Sequence, residues 1–235
     1  MDGIGLWAPP LLCAALRTLF PTLRPLCSVE ELDACSDTLP LLLAGEGICP
    51  SGWLLAAFLR ERNPYRPVAL LEGRCTPLSI WIAWEIGLSG ILDLTRTPEE
   101  WAETLSHLAR GRVAWPSDLV DQAIAFDRAW GRRLRRLSPR DWRRWRDLAA
   151  GLPLKALAAR WGLSLAGVSR YLHRLAERLG APSPMDLRSW GFAIGIWVGS
   201  PSAPRLAPPL QAWRLLRTIA DPPAVKNRNT HMSKT

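Results

Sequence analysis

Residues 151–164 read GLPLKALAARWGLS, a short amphipathic helix followed by a glycine-containing turn and a serine that can cap the next helix. Helical periodicity continues after this serine, because apolar residues recur at spacings of four, three and four. Those residues are Val168, Leu172, Leu175 and Leu179. They form one apolar stripe that can pack on the first helix. The stretch therefore predicts a helix-turn-helix motif.

The face of the second helix opposite this stripe is polar and carries Ser169, Arg170, His173 and Arg174. Such side chains can reach base edges in the major groove of DNA, where arginine makes a bidentate contact with guanine. The formal net charge of the 235-residue chain, +9, is concentrated in the same half. Residues after Trp130 include 20 basic and 5 acidic side chains, a net +15, whereas the first 130 include 10 and 16, a net −6. So basic a block indicates a polyanionic partner.

The basic half resembles the four-helix DNA-binding domain of the LuxR/NarL/FixJ response regulators, without gaps from about Leu137 to Gly191. The matching residues are Leu137–Asp141, Gly151–Lys155, Ala158, Gly162–Ser164, Val168, Leu172, Leu179, Gly180 and Ser183. This resemblance implies a recognition helix over about Leu165–Leu179 and a bacterial transcription regulator.

The resemblance also implies roles for single residues. By this resemblance, Ser169, Arg170 and His173 would contact bases or the groove. Lys155 would contact a phosphate, and Arg174 would contact a phosphate or a base. Ser164, where the recognition helix begins, completes the candidate DNA-binding set. The resemblance further implies that the last helix, about Pro184–Trp197, supplies a dimer surface. Three positions depart from the family pattern: Gly167 replaces a threonine near the phosphate, and Arg144 and Asp147 replace apolar residues of the first helix.

The first 116 residues alternate five short apolar runs with helical segments, a pattern typical of a small doubly wound α/β sheet. The predicted fold is therefore a flavodoxin-like, receiver-type α/β domain followed by an all-α four-helix helix-turn-helix domain. The predicted divisions are a receiver-like domain 1–116, a basic helical linker 117–136, the helix-turn-helix domain 137–198 and a proline-rich tail 199–235. Disorder is expected for the tail, with a short helix around Gln211–Ile219 as the alternative.

The N-terminal half also resembles the receiver domain that precedes this module in the same family. A receiver binds magnesium and a phosphoryl group through two acidic residues after its first strand and an aspartate after its third. Here the positions of the acidic pair correspond to about Trp7 and Ala8, and the position of the phospho-acceptor aspartate corresponds to Ala44. Glu72 replaces the phosphate-sensing hydroxyl residue, and Leu94 or a neighbour replaces the lysine. The half is therefore expected to be a degenerate pseudo-receiver that works without phosphorylation.

The segment Pro77–Ile86 is apolar nearly all round, which predicts an extra buried contact for this helix. Trp81, Trp84 and Trp101 are the candidate dimer or partner surface, although Trp81 and Trp84 could equally be core residues. Expected partners are double-stranded DNA, a second copy of the chain, and a regulatory protein or small ligand at the pseudo-receiver.

The residues offer little for other functions. The chain has three histidines and no nucleotide-binding glycine loop, GxSxG motif or paired carboxylates, so no enzyme activity and no cofactor are expected. Five cysteines without a CxxC pair predict free thiols and no metal site. The sequence predicts no membrane span and a cytoplasmic location. Two alternatives stay open: a signalling adaptor whose pseudo-receiver binds a protein, and a sigma-factor-like promoter reader, which the segment Val168–Arg174 also resembles.

Overall fold

A computed structural model describes residues 3–47, 51–113 and 115–220, with the side chains of 218–220 excepted. Four of the five strands of its sheet are runs of four or five mainly apolar residues that are mostly buried, as parallel strands with helices on both faces require. The remaining strand, at one edge, has three residues and an exposed Arg24. Five parallel strands lie in the order β2-β1-β3-β4-β5, so the predicted doubly wound α/β fold is confirmed. The strands are β1 (Ile4–Trp7), β2 (Leu23–Pro25), β3 (Leu41–Ala44), β4 (Val68–Glu72) and β5 (Gly90–Asp93).

Five helices connect or follow these strands, and local capping fixes where several of them begin. Thr97 and Glu100 form a capping box at the start of the fifth helix. Ser28 caps the second helix by accepting a hydrogen bond from the Glu31 amide at 3.1 Å. The helices are α1 (Pro10–Leu19), α2 (Val29–Ala34), α3 (Gly52–Arg62), α4 (Pro77–Glu85) and α5 (Pro98–Ala109).

A helical linker with one π-helical turn joins the two halves of the chain. It consists of α6 (Ser117–Phe126), the π-helical turn Asp127–Gly131 and α7 (Arg132–Arg135). The linker packs closely on α4, because a β-carbon at Gly131 would lie 2.9 Å from the Trp81 ring. Arg135 fixes the contact by binding both carboxylate oxygens of Glu85, at 2.6 and 3.0 Å, and Asp127 at 2.6 Å.

The predicted all-α domain follows the linker. A Ser138–Asp141 capping box starts its first helix, and Gly162, with a φ of +64°, makes the left-handed turn that ends its second. The helices are α8 (Pro139–Ala149), α9 (Leu154–Trp161), α10 (Leu165–Leu179) and α11 (Asp186–Ala193). One hydrophobic cluster runs from the α3–α4 side of the sheet into this domain, so the two halves share a core.

The C-terminal segment is ordered up to residue 220, so the expectation of disorder was wrong for this part. A short hairpin of β6 (Trp197–Val198) and β7 (Arg205–Leu206) leads into α12 (Pro208–Ala220), which packs on α3 and α4. Prolines at its first two positions suit a helix start, and Leu210, Ala212 and Trp213 are buried. The rest of the predicted tail, 221–235, lies outside the described residues.

Helix α12 and the linker explain why α4 is apolar nearly all round. The Trp81 ring lies 5.4 Å from both the Phe126 and Trp213 rings, and only 2% of the residue is exposed. The predicted extra contact therefore exists within the chain, and Trp81 is not available to a dimer or partner surface. Trp101 is also engaged: it is partly buried and its indole donates to the Asp93 carbonyl at 2.8 Å. Trp84, 45% exposed, is the member of the set that remains accessible.

Candidate nucleic-acid interface

The helix that carries the candidate base-reading residues is held by its buried side and its ends. Val168, Leu172, Leu175 and Leu179 are buried, as the stripe predicted. Ser164 accepts a hydrogen bond from the Gly167 amide at 3.1 Å. The helix runs over Leu165–Leu179, the same bounds that the resemblance implies. Its orientation is therefore fixed by packing and capping in the free protein.

The polar face of α10 is open to solvent. The exposed residues are Ser169, Arg170, His173 and Arg174, and Lys155 is exposed on the neighbouring helix α9. Within the described part of the chain, these five side chains make no hydrogen bond or ion pair. Ser164 differs from them, because its hydroxyl oxygen already caps the helix. The structure thus brings four predicted base-reading residues together on one free face.

Polar residues at normally apolar positions of α8 form a network that sequence analysis did not anticipate. Arg144 is buried against the Trp161 and Tyr171 rings, at 5.0 and 4.4 Å from their centroids. Asp147 accepts a hydrogen bond from the Trp161 indole at 3.0 Å. The sequence positions of Trp161 and Tyr171 gave no signal of these partnerships. Both departures are therefore stabilised by partners from the two helices of the motif.

The same network includes Asp141, which caps α8 and accepts a hydrogen bond from the Tyr171 hydroxyl. It also pairs with Arg178 at 3.1 Å. Burial acts to raise the pKa of Asp141, but hydrogen bonds from Tyr171 and Ser138 outweigh it, so this pKa lies below its usual value. The carboxylate therefore stays ionised at neutral pH and ties α8 to α10.

The basic run between Arg132 and Arg146 is divided between internal contacts and solvent. Arg135 and Arg144 are bound inside the protein as described, and Arg133 donates to the Leu179 carbonyl at 3.0 Å. The remaining exposed arginines of the run are Arg132, Arg136, Arg140, Arg143 and Arg146. Arg135 and Arg144 therefore have structural roles, so not all of the positive charge of this run is available to a polyanionic partner.

The carboxyl edge of the sheet holds the residues that the sequence resemblance matches to the phosphorylation site of a receiver. Ala44 ends β3 and is buried, Leu94 follows β5, and Glu72 pairs in register with Asp93. The Trp53 indole donates to the Glu72 carboxylate at 2.7 Å. Burial raises the pKa of Glu72 to about 7; the Trp53 hydrogen bond opposes this shift, and the charges of Glu46 and Asp93 add to it.

A cavity of about 630 Å³ opens beside Ala44 and Glu72 and reaches Gly195, Val198 and Pro208 of the C-terminal segment. Ala44 and Glu72 thus lie where the two halves of the chain meet. Across the described ranges, no group of three or more histidine, cysteine or acidic residues is placed to hold a metal ion. Nor does any described helix have the length and apolar character needed to cross a membrane.

Comparisons with known proteins give similar structures without a sequence match. No protein-family model and no curated protein matches the chain. The RcsB response regulator of Salmonella typhimurium is similar over 81% of this chain and 98% of its own, with a TM-score of 0.57 and 15% identity. RcsB from Salmonella enterica serovar Typhimurium, bound to promoter P1flhDC in the presence of phosphomimetic BeF3−, gives a TM-score of 0.56, 16% identity, and coverage of 81% and 97%.

A third similar structure is the complex of the two-component response regulator RcsB with DNA. Its TM-score is 0.52 at 16% identity, with 83% of this chain and 98% of that chain covered. The chain therefore has the two-domain fold of these response regulators, a receiver-type α/β domain followed by a helical domain.

Proposed function

We propose that the protein is a sequence-specific DNA-binding transcriptional regulator whose pseudo-receiver works without phosphorylation. The observation that carries this proposal is the free face of α10, where Ser169, Arg170, His173 and Arg174 are exposed on a buried and capped helix. Helices presented in this way read the major groove. The shared fold with RcsB structures that contain DNA supports the same function.

Two single substitutions test the assignment of roles on this face. Arg170→Ala is expected to weaken binding by about 1–3 kcal/mol at one base pair of the operator and to relax the preference there, because a bidentate base contact is lost. Lys155→Ala is the matched control. It should weaken all sequences alike and lower the slope of log K against log salt by about one unit, since one phosphate contact is lost.

The measurement is a fluorescence anisotropy titration against a selected operator and its single-base variants at several salt concentrations. Equal losses on every sequence for Arg170→Ala would reassign this residue to the phosphate backbone. If the wild-type protein binds no sequence selectively, the DNA-binding proposal is contradicted, and the adaptor function, in which the pseudo-receiver binds a partner protein, is favoured.

Independence from phosphorylation rests on Ala44, which has no nucleophile, and on the absence of acidic residues at Trp7 and Ala8. Treatment with acetyl phosphate and Mg²⁺ is therefore expected to leave the protein unmodified. Ala44→Asp should not restore phosphorylation, because the oxygen ligands for magnesium are still missing. Intact-protein mass spectrometry at neutral pH makes the measurement. An adduct of one phosphoryl group on the wild-type protein that is lost on acid treatment would contradict the proposal.

A homodimer is proposed because two-fold proteins read paired half-sites on DNA. Of the tryptophans first considered, Trp84 lies at the surface. Ile124 of the linker is 38% exposed and lines a surface groove together with Trp84. Trp84→Ser with Ile124→Ser is expected to weaken dimerisation about tenfold or more, because both side chains would leave a buried interface. Sedimentation equilibrium measures the effect, with Leu11→Ser, at an exposed leucine of α1, as control. An unchanged dimer mass with intact circular dichroism excludes this surface.

A further inference from the structure

A second groove, which we call the arginine groove, lies where the DNA-binding domain meets the C-terminal segment. It has a volume of about 550 Å³ and is bordered by α8, the β6–β7 hairpin, α12 and one residue of α3, Leu54. Four arginines line it: Arg143, Arg146, Arg205 and Arg214. Its other residues are mainly apolar and include Trp142, Leu206 and Leu215. The groove therefore combines clustered positive charge with an apolar surface.

The described lining of the groove contains no acidic residue. All its charged residues are arginines, and within the described residues Arg143, Arg146 and Arg205 belong to no ion pair. Arg214 lies 5.7 Å from the Trp142 ring centre. Burial, together with the charges of Arg146 and Arg143, lowers the pKa of Arg214. The like charges of Arg143, Arg146 and Arg205 around one groove repel one another, and a bound anion would offset that repulsion.

This groove is separate from the recognition surface. On α8, Arg144 and Asp147 contact residues of α9 and α10, whereas Arg143 and Arg146 border the groove. None of the lining residues belongs to α9 or α10. The exposed side chains of α10 can therefore contact DNA without involving the groove, which argues against a role in following the DNA backbone.

We propose that the arginine groove binds a nucleoside triphosphate or a nucleotide of similar size. Guanidinium groups bind phosphate oxygens in bidentate pairs and also stack on planar rings, so the four arginines suit both parts of such a ligand. The volume lies in the range of small-molecule sites and far exceeds the space that a free phosphate needs. The accessible apolar residues Leu206 and Leu215 suit the base.

A ligand in this groove would contact both halves of the chain. Leu54 belongs to the receiver-like domain, Arg143 and Arg146 to the DNA-binding domain, and Arg214 to α12. Binding would therefore stabilise the docking of these elements and raise the unfolding temperature with the logarithm of ligand concentration above the dissociation constant. This inference goes beyond the proposed DNA-binding function and does not depend on it, because it concerns ligand binding to the free protein.

The test is isothermal titration calorimetry of the full chain with ATP, GTP, CTP and UTP, each without magnesium. At least one nucleotide is expected to bind with 1:1 stoichiometry and a dissociation constant of roughly 1–100 µM. The matching nucleoside and tripolyphosphate should each bind at least about tenfold more weakly, because each lacks half of the contacts. The absence of binding by all four nucleotides at about 1 mM would overturn the proposal.

Variants identify the site. Arg143→Gln with Arg146→Gln is expected to weaken nucleotide binding at least about tenfold. Arg110→Gln with Arg112→Gln removes the same charge at exposed positions outside the groove and should change binding little. Arg205→Gln, on the hairpin, provides a second test if the first pair does not fold. Equal losses for the groove and control variants would overturn the proposal, because they indicate attraction by net charge alone.

The salt dependence of operator binding shows whether DNA or a nucleotide occupies the arginine groove. The groove variant is expected to bind the operator with the wild-type salt slope in the absence of nucleotide. A lower slope for this variant, but not for its control, would assign the groove arginines to DNA phosphates and overturn the nucleotide proposal. Failure of specific DNA binding by the wild-type protein would contradict the proposed function and leave the calorimetric result as it stands.

Discussion

Trp81→Ala is expected to lower the free energy of unfolding by about 3–5 kcal/mol, the usual cost of removing a large buried aromatic side chain. The Trp81 ring is packed between Phe126 of the linker and Trp213 of α12, and its indole donates to Asp127 at 3.0 Å. The substitution leaves a cavity and an unsatisfied partner at the contact that joins the two halves. Urea unfolding followed by circular dichroism at 222 nm provides the measurement.

Trp84→Ala is the matched control, because Trp84 lies three residues along the same helix and is partly exposed. It should cost about 1 kcal/mol or less. Similar costs for the two substitutions would show that the Trp81 contact with the linker and α12 does not persist in solution. A lower cost for Trp81→Ala than for Trp84→Ala would return Trp81 to the set of surface residues.

The elements that could be predicted from sequence are those fixed by local interactions. The bounds of α10 were implied by the family resemblance, and the serine cap at Ser164, the four-three-four apolar spacing and the left-handed Gly180 agree with them. The strands followed from short apolar runs, because a parallel sheet buries both faces of a strand. The exposed polar face of α10 followed from the helical period, which places Ser169, Arg170 and His173 opposite the buried stripe.

What could not be predicted depends on contacts between distant parts of the chain. Nothing near Trp81 indicates that Trp213, more than one hundred residues later, covers it. The prolines before α12 indicated disorder, although at the first positions of a helix they favour it. Arg144 departs from an apolar pattern, and the rings of Trp161 and Tyr171 that it contacts belong to two later helices.

The cavity beside Ala44 and Glu72 connects the receiver-type domain with the C-terminal segment. It reaches Gly195, Val198 and Pro208, which follow the helices of the all-α domain. The cavity therefore borders the segment that connects α11 to α12. Since α12 packs on α3 and α4, the same segment ties the all-α domain to the receiver-type domain.

Glu72→Gln is expected to remove a pH dependence of stability from this pocket. The pKa of Glu72 is raised from 4.5 to about 7 in the folded protein, chiefly by burial. The folded state therefore binds more protons than the unfolded state between these values, and stability contributed by Glu72 is fully present below pH 4.5 and lost as pH rises through 7. A shift of this size corresponds to at most about 3 kcal/mol.

Glutamine keeps an oxygen that can accept the Trp53 hydrogen bond and cannot ionise. The variant should therefore match the wild-type protein near pH 4 and exceed its free energy of unfolding by about 1–3 kcal/mol at pH 8. Glu103→Gln, at an exposed residue of α5 outside this cavity, is the control and should keep the wild-type pH profile. The difference between wild-type and Glu72→Gln unfolding curves isolates the contribution of this carboxyl. A difference that stays constant from pH 5 to 8 would place the Glu72 titration outside this window and contradict its burial beside Trp53.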